Sequence, residues 1–355
     1  MMRPLLFIFF YVAALLSMGA CSSSAQEPVP DPVEDDDEVI EGQYTNPVWE
    51  PVLADPTVVK SGDTFYAYGT EDNWGDEGGY HLVPVIKSKD LIHWELVGDA
   101  LQSKPTWKPE GGIWAPDVTK VGSQYFMYYS FSTWGDANPG IGLAIADSPE
   151  GPFEDYGKIF DSQSIGVNNS IDPFYYEEDG QKYLFWGSFR GLYMIKLTED
   201  GKATVGEKVQ VAGDHLEASY IFKKSGFYYL FGSYGSCCEG ANSSYQVWVG
   251  RSDKLEGPYV DKSGNKLLDG HYGELVVKGN LGDTGFAGPG HNAEIVTDEE
   301  GTDWLVYHGM LKSQPRTNNG TNRRTLLIDP ILWNGGWPLL FRQVPSIKAN
   351  DGPVF

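Results

Sequence analysis

Apolar residues in this chain come in short, aromatic-rich bursts separated by glycine-bearing gaps, and the spacing of an amphipathic helix is scarce. That pattern predicts short strands joined by tight turns. One phrase recurs: an acid, a strand, a glycine turn and an aromatic strand. Asp55-Pro-Thr-Val-Val-Lys-Ser-Gly-Asp-Thr-Phe-Tyr-Ala-Tyr-Gly69 is echoed by Asp117-Val-Thr-Lys-Val-Gly-Ser-Gln-Tyr-Phe-Met-Tyr-Tyr-Ser130, and again from Asp172, Glu217 and Glu294. A second phrase follows most copies, as in Ile86-Lys-Ser-Lys-Asp-Leu-Ile-His-Trp94, and supplies the outer strands of a four-stranded unit.

Repeat starts at 55, 117, 172, 217 and 294 give a mean step of about 60 residues, longer than propeller periods of roughly 40 to 50. Long connecting loops account for the excess. The expected fold is all-β, a single-domain five-bladed β-propeller over residues 44–355. Radial blades bring the starts of their innermost strands around one axis, so the five carboxylates are expected to ring one face of it.

The ends and the charge narrow the picture. Residues 1–20 carry an apolar run of about a dozen residues, short of the roughly 20 that span a bilayer, so they predict an export signal. Gly19 and Ala20 before Cys21 resemble a bacterial lipoprotein cleavage site, with Cys21 lipidated. Residues 21–43 are expected to be an acidic, disordered tether. The formal net charge is −23, and setting aside the eight acids of residues 27–42 and Arg3 leaves about −16. Nucleic acid and anionic lipid are thereby disfavoured as partners, and a neutral polysaccharide or oligosaccharide fits. Membrane contact is expected only through the lipid anchor, on a monomer at the outer membrane, cell surface or periplasmic face. Cys237 and Cys238 match no zinc spacing and are read as free buried thiols, with a disulfide between neighbours as the alternative.

Carboxylates crowded into an aromatic pocket suit glycoside hydrolysis, in which one acid protonates the leaving oxygen and another activates water or attacks. Crowding also drives their titrations apart. Taken singly, each acid reads more readily as a turn residue before a strand; five aligned ones beside tryptophans do not.

Ala54-Asp55-Pro56, Trp114-Ala-Pro-Asp117, Asn169-Ser-Ile-Asp172-Pro173, Leu216-Glu217-Ala218, Gly288-Pro-Gly-His291-Asn292 and Gly336-Trp-Pro338 together resemble glycoside hydrolase family 43, across nearly the whole fold. The resemblance implies an inverting enzyme with Asp55 as general base, Glu217 as general acid and Asp172 tuning and orienting that acid. Tyr129-Ser-Phe-Ser-Thr-Trp-Gly135 and residues 232–252, paired cysteines included, resemble its endo-acting α-1,5-L-arabinanases. It further implies that Trp114, Trp134, Gly135, Asn169, Ser170, Ile171, Ser188, Phe189 and Arg190 line sugar subsites. His291 would hold Ca2+ or a similar ion on the axis, although a lone histidine otherwise reads as structural. Ala54 and Ser219 stand where arabinanases usually carry histidine and proline, Arg190 stands for an aromatic, and residues 72–81 form an insertion-like loop. An exo-acting α-L-arabinofuranosidase or β-xylosidase is therefore the second reading. A surface glycan-binding lipoprotein without turnover is the third.

Overall fold

The inner hairpin of each blade turns on a glycine with left-handed backbone, at Gly62, Gly122, Gly180, Gly226 and Gly301 (φ 64°, 63°, 78°, 82° and 83°). A side chain there would be strained, which is why the glycine recurs in the repeated phrase. The computed structural model describes residues 42–355; the signal segment, Cys21 and nearly all of the tether lie outside the described residues.

Four blades are four-stranded antiparallel sheets in which each strand pairs with the next in sequence. Blade one comprises Thr57–Ser61, Thr64–Tyr68, Pro84–Ser88 and Glu95–Asp99; blade two, Gly112–Val121, Gln124–Ser132, Gly140–Ala146 and Glu154–Asp161. Phe174–Glu178, Gln181–Trp186, Leu192–Leu197 and Thr204–Ala212 make blade three, and Glu217–Lys224, Phe227–Tyr234, Gln246–Ser252 and Glu274–Lys278 make blade four. In blade five the inner strand is interrupted: Phe286–Gly290 and Val296–Thr297 pair with opposite ends of Asp303–Leu311, which pairs in turn with Thr325–Pro330.

The start of the chain completes blade five. Val48 N–H donates to Leu326 O (2.9 Å), Leu326 N–H to Trp49 O (3.1 Å) and Leu53 N–H to Arg324 O (2.8 Å), closing the ring with backbone hydrogen bonds. Gln43–Tyr44 pairs with Asn350–Asp351. Gln43, expected in the tether, therefore belongs to the folded part, because its backbone is held in a ladder.

Apolar faces of neighbouring blades meet in continuous seams. Tyr68, Val85, Ile113, Met127 and Phe131 join blades one and two, and Phe65, Ile86, Trp304, Val306 and Leu326 join five to one. Each such side chain contributes about 1.5–3 kcal/mol when fully buried. The seams fix the blades radially and leave the axis to the strand starts.

Candidate active site

Each blade carries a non-glycine residue in left-handed conformation shortly before or within its inner strand: Asp55 (φ 51°), Ala115 (42°), Asp172 (58°), Ala218 (56°) and His291 (44°). This conformation costs roughly 1–2 kcal/mol per residue. Acceptors from the preceding blade offset the cost. Ala115 N–H donates to Thr70 Oγ1 (2.8 Å), Asp172 N–H to Ser130 Oγ (2.8 Å), His291 N–H to Ser233 Oγ (2.9 Å) and Asp55 N–H to His308 Nδ1 (3.0 Å). All four acceptors stand near the end of their blade's second strand. Ser188, the counterpart in blade three, instead donates its hydroxyl to Glu217 Oε2 (2.6 Å).

These turns deliver Asp55, Asp172 and Glu217 into one cleft of about 1050 Å³. Asp55 receives Arg324 Nη1 at 2.7 and 2.9 Å and the Thr70 hydroxyl at 2.6 Å, with His291 Nδ1 at 3.3 Å. Burial pushes the Asp55 carboxyl up, but the charges of Arg324 and His291 outweigh it and hold the group well below the usual carboxylate range. His308 Nδ1 is also 3.5 Å from Asp55 Oδ1. Because that nitrogen accepts the Asp55 N–H and burial depresses the ring's basicity, His308 is a neutral acceptor rather than an ion-pair partner.

Glu217 has the opposite character. Burial raises its pKa, against the Ser188 hydroxyl and the Tyr245 hydroxyl, which donates to Oε1 at 2.5 Å. Asp172 is pushed up to about 8, by burial first; His291 opposes this, and the charges of Glu217 and Asp55 add to it. One ionised carboxylate thus faces two that favour protonation.

The other two carboxylates of the ring do not reach the cleft. Asp117 and Glu294 line a smaller cavity farther along the axis, together with Asp172 and His291. Thr57 Oγ1 donates to Glu294 Oε1 (3.0 Å), Val58 N–H to Glu294 Oε2 (2.5 Å) and Tyr175 N–H to Asp117 Oδ2 (2.7 Å). The expected single ring of five acids is therefore three exposed to the cleft and two stitched into the blades.

Residues 44–338 match the family model described as Glycosyl hydrolases family 43. The chain belongs to this family. It is 34% identical over 301 residues to the extracellular endo-α-(1→5)-L-arabinanase 1 of Bacillus subtilis (strain 168), covering 81% of this chain and 87% of that protein. It is 30% identical over 315 residues to an extracellular exo-α-(1→5)-L-arabinofuranosidase of Cellvibrio japonicus (strain Ueda107), covering 80% and 85%. A solved Cellvibrio cellulosa α-L-arabinanase complexed with arabinohexaose superposes with a TM-score of 0.71 at 30% identity, over 82% of this chain and 96% of that one.

Of the subsite residues expected in this family 43 chain, Trp114, Trp134, Gly135, Asn169, Ile171, Ser188, Phe189 and Arg190 line the cleft. Trp134 is 81% exposed, with its ring 5.6 Å from that of Trp114. Ser170 does not line it. Its hydroxyl is fully buried, donating to Val167 O (2.8 Å) and accepting from Trp186 Nε1 (3.1 Å), because the turn before Asp172 points it inward. Cys237 and Cys238 are not buried thiols: they are joined by a disulfide and stand half-exposed on the cleft wall. Their loop closes on itself, with the N–H groups of Ser244 and Tyr245 both donating to Ser236 O (3.1 Å each). Residues 72–81 are fastened to blade five, where Asn319 Nδ2 and Thr321 Oγ1 donate to Asn73 O (2.9 Å each) and Arg323 pairs with Glu77.

Among the described residues no group of three or more His, Cys, Asp and Glu side chains gathers as metal ligands. The axial cavity nonetheless leaves Asn292 Oδ1 and Ser219 Oγ buried without partners. Orphaned oxygens beside one imidazole and several carboxylates fit a cation that keeps most of its water.

Sequence reasoning missed Arg324, Thr70, Tyr245 and His308. The signal for the first was the Arg323-Arg324 pair ahead of an apolar strand in an acidic chain. For Thr70 and His308 it was the polar residue that ends each repeated phrase.

Proposed function

We propose that this family 43 enzyme hydrolyses α-1,5-linked arabinan with inversion at the anomeric carbon. The observation that carries the reading is the split in ionisation within one cleft. Asp55, held charged by Arg324, takes a proton from water as that water attacks. Glu217, kept protonated by burial, gives its proton to the departing glycosidic oxygen. Asp172 lies buried beside the acid and is itself pushed up to about 8, by burial first, so the two carboxyls titrate as a pair. Relatives named for α-1,5-arabinan support the substrate class, and Trp114 and Trp134 offer ring faces to uncharged sugars.

We further infer that His291, neutral in that state, and surrounding water hold a calcium-type ion, whose fixed positive charge would stand in for that of the imidazolium near the three carboxylates. Export fits relatives named as extracellular, with Cys21 carrying a lipid anchor on a monomer. Replacing Cys21 with Ser should release the protein from the membrane fraction.

Incubation with linear arabinan, debranched arabinan, xylan and aryl-glycosides tests the main reading. Arabino-oligosaccharides of mixed length are expected for endo action and a single short product for exo action. The first anomer seen by NMR should be inverted; products from xylan alone would refute the substrate assignment.

A further inference from the structure

Away from the axis, four rings meet on blade four. Tyr234 ends the strand Phe227–Tyr234 and is 37% exposed. Its ring lies 4.6 Å from that of Tyr272, which is 5.6 Å from Trp248 and 5.3 Å from His215. No step above uses any of them. Strand register places them on one side: Trp248 pairs with Gly232, two residues before Tyr234. That side faces blade three, because Tyr228, of the same alternation, donates to Glu178 Oε2 (2.6 Å).

Two cleft-lining stretches bound this patch. Gly235, Ser236 and the paired cysteines follow Tyr234 directly, and Leu216, next to His215, accepts the Phe189 N–H (3.1 Å). The rings therefore adjoin the cleft wall through the chain at both Tyr234 and His215. On blade two the exposed Trp134 stands in the loop just past Gln124–Ser132. Exposed aromatic rings thus stand at or beside the cleft on two blades that are not neighbours. Half-exposed rings carrying hydroxyls suit an uncharged sugar, whose C–H face covers the ring while its hydroxyls meet the tyrosines. The strongly negative chain repels anionic alternatives.

We propose that Tyr234, Tyr272 and Trp248 form a distal subsite that grips further sugar units of the strand being cleaved at Asp55 and Glu217. The proposal rests on the glycoside hydrolase reading and adds that the substrate is a polymer longer than the cleft.

Tyr234→Ala, and Tyr234→Ala combined with Tyr272→Ala, test it. Binding is read in the Asp55→Asn background as retardation in native gels cast with linear arabinan or with xylan. Kinetics are read in the otherwise unchanged enzyme on linear arabinan and on an aryl α-L-arabinofuranoside. Retardation should be lost and KM for the polymer should rise about three- to tenfold, with aryl-glycoside kinetics and melting temperature unchanged for the single variant. Equal retardation of variant and parent in both polymers, or an equal loss on the aryl-glycoside, would overturn the proposal. If cleavage and retardation occur on xylan and not on arabinan, the substrate reading fails; loss of retardation on xylan still supports the patch, and its retention overturns it.

Discussion

The cleft trio and the axial pair start from the same place in the repeat and end with opposite roles. Asp55, Asp172 and Glu217 stand at the left-handed residue or one before it, whereas Asp117 and Glu294 come two and three residues after theirs. In the first group Asp55 and Asp172 precede their strands and Glu217 is the first residue of its own, and all three meet the cleft. In the second, Asp117 is already inside the ladder and Glu294 lies in the break of blade five's inner strand, and Thr57, Val58 and Tyr175 occupy their oxygens. Burial is shared by both groups. Access to substrate and the identity of the bonding partners are not, and these separate a candidate catalytic carboxylate from a structural one.

Substitutions at the two groups should therefore differ in kind. Asp55→Asn should be the most damaging, lowering kcat toward the upper end of the about 10²–10⁴-fold range for a lost general base, with melting temperature nearly kept. Glu217→Gln should cost a similar factor on arabinan but much less on an aryl-glycoside with a good leaving group. Equal losses on both substrates would place the acid elsewhere.

Arg324→Met probes why the trio is divided. Without the guanidinium, burial would dominate at Asp55 and raise its pKa, so the acid limb of the pH–activity profile should move toward neutral. Asp172→Asn should do less. Asp172 is itself pushed up to about 8 and carries little charge while Glu217 titrates, so the alkaline limb should stay nearly in place; a clear shift toward acid would show that an ionised Asp172 repels the acid. Glu294→Gln should have the smallest effect on kcat and a distinct cost of about 1–3 kcal/mol in stability, from imperfectly replaced buried hydrogen bonds. Thermal unfolding and kinetics on the same samples would show it, and a kcat loss rivalling that of Glu217→Gln would erase the distinction.

The blade count and the ring of acids were legible because each repeat carries an aromatic hairpin, a turn glycine and an acid. The division of that ring was written as well, in Asp55-Pro56 and Asp172-Pro173 against Pro116-Asp117, but its meaning depends on which residue takes the left-handed turn. The acceptors Thr70, Ser130 and Ser233 and the donor Ser188 also stood at or just past the ends of the repeated phrases in plain view. What hid them was function across blades: each serves the strand start of the next repeat, so no single repeat shows its partner. Ser170 misled for the related reason that its neighbours Asn169 and Ile171 line the cleft while its own side chain turns inward. Arg324 was the least visible, since its contact with Asp55 exists only once the ring has closed.

That closure sets a clock on the newborn chain. Asn46 and Ile328, bonded across the seam, are separated by 282 residues, an interval that synthesis at about 5–20 residues per second crosses in roughly a quarter of a minute to a minute. Blade one and its aspartate must wait that long for the arginine that charges it, and such distant pairings form late. A chain cut short of Arg324 is therefore a row of blades without a base.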